Sequence, residues 1–423
     1  MSGPAFKAFQ TYNNESTLKI LSLAAMYPSK VQPWMINHLY QIEQNGGQNR
    51  VLSVETEDYA FDSKLSSYDL ANYYWSMGSH RKDQMANALK QLCRPTVAAN
   101  TVKLLSKDYW PESLKKKVMH GLNAYSFTLK PDIIHSHSEI AGSRFLSLIK
   151  ANGAPLVHTF HGQTPVGVPS ISVEARQRYS KYAQAIFVNT QFAKKQYEAL
   201  GAQSDNFAII PQGIELAQWP FKPSAPPTGG QPLHLLTVGR IVAEKGHRYV
   251  IDALKLLIDS GINSQYHIVG RGPESEALEE QAQRLGIADR VVFHGVLMGQ
   301  ALKQQYTNSH IFVLPSLKGD GQEWEETQGV VIQEAQASGL LVIGADSGGI
   351  AECIVDGENG FVVPDQQPKA LAYKIMEIMN APDKWQQWQR AGRQWTKNNY
   401  DLEVVGYKVF DIYQDINKRN SSR

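Results

Sequence analysis

Residues 233–270 read LHLLTVGRIVAEKGHRYVIDALKLLIDSGINSQYHIVG. An apolar run ends at Gly239, a short polar loop follows, and apolar positions then recur at helical spacing as far as Gly261. A second apolar run, 265–270, closes the unit. Strand, loop, helix and strand in that order form a crossover, which pairs its two strands in parallel. The alternation continues with helix 274–286, strand 291–295, helix 301–309, strand 311–316, helix 331–339 and strand 341–345. Upstream, β-rich runs occur at 18–26, 50–56, 132–138, 155–162, 185–190 and 207–213. Amphipathic stretches such as 35–46 and 192–202 separate several of them. The proline- and glycine-rich segment KPSAPPTGGQP (222–232) divides the two series. The reading is α/β, with two Rossmann-like, doubly wound domains facing a central cleft. The expected divisions are a flexible 1–16, a first domain 17–221, the linker 222–232, a second domain 233–395 and a terminal segment 396–423.

Composition narrows the classes. A chain of 423 residues exceeds one ordinary core, which supports two domains. Its 42% hydrophobic and 19% charged residues are those of a soluble globular protein, and a net charge of +2 gives no global reason to invoke nucleic acid. Cys93 and Cys353 lie far apart without metal-ligand spacing, so they are expected to be reduced thiols. The first residues carry no apolar leader, and no apolar run approaches the ~20 residues of a membrane span. The expected location is the cytoplasm, with peripheral contact at the inner membrane face as an option. Lys103, Lys107, Lys115, Lys116 and Lys117, interleaved with Leu105, Tyr109, Trp110, Leu114 and Val118, read either as a membrane-surface patch or as a solvated helix face.

The chemistry concentrates in EETQGVVIQEAQASG (325–339), where Glu326 and Glu334 stand eight apart. Gly329 frees the backbone and a helix begins where Val330 and Val331 can offer amides to phosphate, while Glu334 lies within reach of a ribose. Glu323, Glu325 and Glu326 could instead form a solvated acidic knot. Arg240 and Lys245 flank the loop after Gly239, as a diphosphate site or as an ordinary solvated loop. Gly270-x-Gly272 is followed by Pro273, so it reads as a tight turn into a helix, not a dinucleotide fingerprint. No Asp-x-Asp occurs, which leaves no carboxylate pair to bridge a metal to a diphosphate. His135 and His137 have ligand-like spacing, but the sequence places no third ligand nearby. His158 and His161 end a strand, His161 the more exposed beside Gly162, and either could instead be a hydrogen-bonded core residue, the commoner fate of a lone histidine.

Taken together, VGRIVAEKGH, IVGRGPE, VVFHG, IFVLPS, EETQGVVIQEAQASG and SGGIAECIVDGENGFVVP make residues 233–365 resemble the donor domain of family 4 retaining glycosyltransferases, which have the GT-B fold. The first half is similar more weakly, through YPSKVQPW, DIIHSHS, HTFHG and FVNTQFAKKQYEALG, and 396–423 resembles the terminal helix that crosses back to the first domain. The nearest subgroup is the exopolysaccharide transferases of the colanic acid type.

The resemblance implies roles. Arg240 and Lys245 bind the donor diphosphate and offset its charge as the glycosidic bond breaks. Glu326 contacts the transferred sugar, Glu334 the ribose, and the amides of Val330 and Val331 the phosphate, with Gly329, Leu297 and Gly270 completing the donor set. His161 lies across the cleft near sugar and acceptor. It also implies retention by front-face attack without a metal or other cofactor, the donor phosphate taking the acceptor's proton. The expected partners are a UDP- or GDP-sugar and a saccharide or lipid-linked saccharide acceptor.

Three departures stand out. MYPSKVQPW lacks the usual glycine pair, Thr164 occupies the acidic place of HGxD, and Gln328 replaces a common phenylalanine. The first two bear on the acceptor and the third on donor-sugar choice. A nucleotide-sugar epimerase on this scaffold, or a non-catalytic nucleotide-sugar-binding protein, remains as an alternative.

Overall fold

The computed structural model describes residues 17–27, 33–55, 74–76, 130–162, 171–319 and 325–422, with isolated positions between 89 and 102. In the first half, β1 (Lys19–Met26), β2 (Gln48–Glu55), β3 (Tyr74–Ser76), β4 (Ile133–Ser136), β5 (Leu156–Phe160), β6 (Ala185–Val188) and β7 (Phe207–Ile209) form one sheet in the order β3-β2-β1-β4-β5-β6-β7. Every pairing in it is parallel. The described helices are α1 (Pro33–Gln44), α2 (Glu139–Arg144), α3 (Leu146–Asn152), α4 (Val173–Tyr182) and α5 (Gln191–Ala199). The inner strands β4 and β6 are buried along their whole length, as a sheet covered on both faces requires.

The second half repeats the plan. Its strands β8 (Leu233–Val238), β9 (Ser264–Val269), β10 (Val291–Phe293), β11 (Ile311–Leu314), β12 (Leu341–Ala345) and β13 (Phe361–Val363) take the order β10-β9-β8-β11-β12-β13, again all parallel. Its helices are α6 (His247–Asp259), α7 (Ser275–Arg284), α8 (Gly299–Asn308), α9 (Val330–Ser338), α10 (Pro368–Met379) and α11 (Trp385–Tyr400). One face buries Leu233, Leu235, Tyr266 and Ile268 with α6, α7 and α10, and the other buries Leu236, Val269, Phe312 and Leu314 with α9.

Two stretches of chain cross between the domains side by side. Ile214 donates to the Tyr400 carbonyl at 2.8 Å and accepts from Leu402 at 2.9 Å. Leu216 and Ile214 then pack on Ala337, and Arg393 ties the carbonyls of Trp219 and Ala337 at 2.8 and 2.7 Å. After the bend at Asp401, α12 (Leu402–Ser421) returns to the first domain and buries Val409, Tyr413 and Ile416 against Ile20, Ile42 and Phe187. Cys93 is exposed and Cys353 buried, both as free thiols. Among the described residues, no helix is long and apolar enough to cross a membrane.

Candidate active site

In the second sheet the strand order reverses between β8 and β11. Ligands of open α/β sheets collect at such a switch point, beyond the carboxyl ends of the strands. The loop after β8 carries Arg240 and Lys245, and the segment after β11 carries Glu326 and Gly329. Leu317 donates to the Glu244 carbonyl at 2.8 Å, which ties the two loops together. The Lys245 ammonium donates to the Glu326 carboxylate, and both side chains are largely enclosed, with 13% and 15% of their surface exposed. Arg240 is more open, at 56%, and stands 3.8 Å from Glu244. The site therefore pairs an enclosed cation and acid and sets a mobile-length guanidinium beside them.

Gly329 starts α9 with φ +75°, and a Cβ there would lie 2.7 Å from Leu314. Only glycine accepts both demands. It brings no side chain to cap the helix, so the first-turn amides of Val330 and Val331 have no acceptor within α9. Glu334 lies one turn in, accepting a 2.7 Å hydrogen bond from the buried Tyr306 hydroxyl. Desolvation raises its carboxyl to about 7, with the tyrosine bond opposing in part. Gly270 approaches the Gly239 carbonyl so closely that a Cβ would stand 1.7 Å from it, and its own N–H donates to Gly295 at 2.8 Å. It thus shapes the loop after β9 by contact with the loop after β8. Leu297 packs against the core that holds Tyr306 and Phe312, between exposed Val296 and Met298.

Across the cleft, His161 follows β5, and its Nδ1 lies 3.4 Å from the Gln212 side-chain nitrogen. Burial lowers its pKa to about 3. Behind it stand His135 and His137 from β4 and its exit, and, contrary to the sequence expectation of no third neighbour, His38 from α1. One ring nitrogen from each of these three lies within 4.8 Å of the others. The sequence could not show this, because His38 arrives from almost a hundred residues upstream. The Tyr413 hydroxyl of α12 reaches His135 Nδ1 and lies 3.3 Å from His38 Nε2, while His135 Nε2 meets Thr159 at 2.7 Å. The hydroxyl has one proton to give, so it donates to one of His38 Nε2 and His135 Nδ1 and accepts from the other, which links His38, Tyr413, His135 and Thr159 in one chain that neutral imidazoles satisfy in either direction. Burial enforces that state: His38 and His158 fall to about 4, and His135 and His137 well below the ordinary histidine range. His158 is 1% exposed and its Nδ1 donates to the Ser136 carbonyl at 3.0 Å, as a core histidine does. A cavity of about 70 Å³ opens among His38, His137, Thr159, His161 and Gln212, closed from the other side by Leu402 and Val405.

The chain matches two family descriptions in tandem: Glycosyltransferase Family 4 over residues 87–218 and Glycosyl transferases group 1 over 221–395. The junction of the two falls where the chain leaves the first domain. This protein is a family 4 glycosyltransferase. WcaL of Escherichia coli (strain K12), named for colanic acid biosynthesis, is 21% identical over 94% of this chain and all of its own. Glycogen synthase of Mycobacterium tuberculosis (strain ATCC 25618 / H37Rv) is 26% identical over 67% of this chain and 69% of its own. Among solved structures, a glycosyltransferase of Rickettsia africae ESF-5 superposes with a TM-score of 0.69 at 20% identity, covering 95% of this chain and 99% of that one. Anabaena HepE in complex with UDP also gives 0.69, at 18% identity, covering 94% and 100%. The fold is accordingly GT-B, as the resemblance implied.

In this glycosyltransferase Glu326, Lys245, Arg240, Glu334, Gly329, Val330 and Val331 gather at one switch point, and His161 faces them from the first domain. The residues 28–32 of the first loop, Thr164, Glu323 and the lysine-rich 103–117 lie outside the described residues. Sequence reading missed Tyr306, whose only signal is an aromatic at the end of α8, and missed what Thr327 and Gln328 do. Gln328 turns its amide to the Gln212 backbone instead of the donor side.

Proposed function

We propose that this glycosyltransferase moves a hexose-type sugar from a nucleoside diphosphate donor, a UDP-sugar in preference to a GDP-sugar, to a saccharide or lipid-linked saccharide acceptor. The transfer retains anomeric configuration, uses no metal, and serves exopolysaccharide or other surface polysaccharide synthesis. The observation that carries this is the Lys245–Glu326 ion pair beside the uncapped start of α9, with Glu334 one turn further on. Without donor, cation and acid neutralise each other. When donor enters, Lys245 turns to the diphosphate with Arg240, and Glu326 turns to the sugar. The amides of Val330 and Val331 meet phosphate, and Glu334 accepts from ribose hydroxyls.

As the glycosidic bond breaks, negative charge grows on the leaving diphosphate, and fixed cations with helix amides stabilise it. The acceptor attacks from the same face, and its proton passes to the departing phosphate. Front-face attack needs no covalent intermediate, so Glu326 is a poor candidate for a covalent nucleophile. The relatives support this reading by what they are: a colanic acid transferase by name, and HepE solved with UDP and with UDP-glucose.

Screening UDP- and GDP-sugars by thermal shift and donor consumption, with and without saccharide acceptors, tests it. Transfer that needs a separate acceptor is the expected outcome. A donor interconverted without acceptor marks an epimerase, and a donor bound yet never consumed marks a binding protein.

A further inference from the structure

Between Glu326 and Gly329 stand only Thr327 and Gln328, and both side chains point at the other domain. Gln328 is 2% exposed and grips the Gln212 backbone from both sides. Its Oε1 accepts from the Gln212 N–H at 2.7 Å, and its Nε2 donates to the Gln212 carbonyl at 2.9 Å. The polarity of that backbone fixes which end of the amide is which. Gln212 in turn brings its side chain to 3.4 Å from His161 Nδ1. Thr327 lies against Gly162, the residue after His161, where an added Cβ would stand 3.0 Å from the threonine methyl. Asn189 donates to the Thr327 hydroxyl at 3.0 Å and Thr190 to its carbonyl at 2.7 Å. His161 is thus bracketed, through Gly162 and Gln212, by the two residues that follow Glu326.

One further contact joins the same faces. Glu352 accepts from the amides of Gln191 and Phe192 at 2.7 and 2.6 Å, so a second-domain carboxylate caps first-domain α5. Domains joined by two thin crossings move relative to one another unless something fixes them. Here Thr327 and Gln328 of the donor loop supply several of the fixing contacts, beside the Glu352 cap.

We propose that Gln328 is a positioning residue for sugar transfer: its two-point grip on Gln212 sets His161 in register with Glu326 across the closed cleft. The proposal rests on the transfer reading above. A phenylalanine, as commonly stands at this place in the family, has neither donor nor acceptor and cannot make this grip. The grip acts on geometry between the halves, while the diphosphate and ribose contacts belong to the second domain alone. Its loss should therefore separate chemistry from nucleotide binding.

Gln328→Met keeps the length and packing of the side chain and removes both hydrogen bonds. It should lower kcat for transfer by roughly tenfold to a hundredfold, the cost of misplacing reacting groups by a fraction of an ångström to an ångström. The dissociation constant for UDP should stay within about twofold of the parent, since uniform binding is untouched. In parallel, single-molecule fluorescence with one dye on α4 and one on α10 should show a broader inter-domain distance distribution for the variant with UDP bound. Unchanged transfer overturns the proposal. So does a fall in UDP affinity and melting temperature that tracks the fall in transfer, which marks a merely structural residue. If the parent transfers no sugar, the transfer reading fails, and the fluorescence alone then decides whether Gln328 holds the domains.

Discussion

The two walls of the cleft are built on different principles. The donor wall is local: Lys245 and Glu326 sit on loops that leave neighbouring strands, 81 residues apart, and α9 starts beside them. Its groups are charged and neutralise each other. The first-domain wall, the acceptor wall of the proposed function, is assembled from far: His38 and His135 meet Tyr413, which is 278 residues from His135 and 375 from His38, and His137 and His161 stand beside them. Its groups are buried or half-buried, and desolvation keeps them neutral. The contrast teaches that one wall works by charge and the other by shape, and each predicted effect below can break one side of it.

The largest expected effect belongs to the acceptor wall and to acid. Folded His38 and His158 titrate near 4 and His161 near 3, whereas the unfolded chain takes its histidine protons near 6.5. Between those values the unfolded state binds more protons, so stability falls as pH falls from about 6.5 towards 4. Glu334 works the other way: raised to about 7, it gains relative stability as pH drops from 7 to about 4.5, but it is one group against several. Each pH unit costs up to ~1.4 kcal/mol per histidine involved. Thermal melts from pH 8 to pH 5 should therefore drop by many degrees, most steeply below 6.5. A flat profile would mean that the cluster is open to water.

The donor wall breaks by charge. Lys245→Ala should cut turnover by ~10²–10³, as losing one preorganised charge-stabilising group does, with any donor that the parent turns over. Glu326→Ala should harm turnover more than nucleotide binding. An unchanged rate for the lysine variant would remove the diphosphate role.

How much of this was legible follows from the same contrast. The second domain's strands, its switch-point loops and the Glu326–Glu334 segment could be read because periodicity and loop chemistry are written within a few dozen residues. The inner strands of the first domain were legible for the same reason, with edges off by no more than two residues. What stayed hidden were partners brought by topology: His38 beside His135 and His137, Tyr306 under Glu334, and Gln328 on Gln212. Gln328 was visible as a departure, yet its direction depends on how the two domains close, and no local pattern encodes that. The histidine pair on β4 and its exit invited a metal reading that lacked a third member, and the third member then proved to share a tyrosine hydrogen bond.

A smaller effect tests the inner end of the donor wall. An ionised Glu334 accepts two ribose hydroxyls better than a protonated one, and its carboxyl titrates near 7 in the free protein. UDP affinity should therefore strengthen as pH rises through about 7 and level off above it. Glu334→Gln should weaken UDP by roughly tenfold to a hundredfold at pH 8, the range for a hydrogen bond to a charged group. It should also flatten the pH dependence, which calorimetry at pH 6, 7 and 8 would read. A variant that keeps the parent's slope would assign the titration elsewhere.

The smallest expected effect is none. EDTA should leave transfer unchanged, because the chain has no Asp-x-Asp to bridge a metal to the diphosphate and sets Lys245 and Arg240 at that place instead. The acceptor wall gives the measurement its sharper form. If the histidines exist to be held by Tyr413, chelation should change neither turnover nor melting temperature, since His38 Nε2 and both ring nitrogens of His135 already stand in hydrogen bonds. If turnover falls and added Mg²⁺ or Mn²⁺ restores it, the charge argument for the donor wall is wrong. If melting falls while turnover of the surviving enzyme holds, the neutral histidines of the acceptor wall take a metal after all and the donor wall stands.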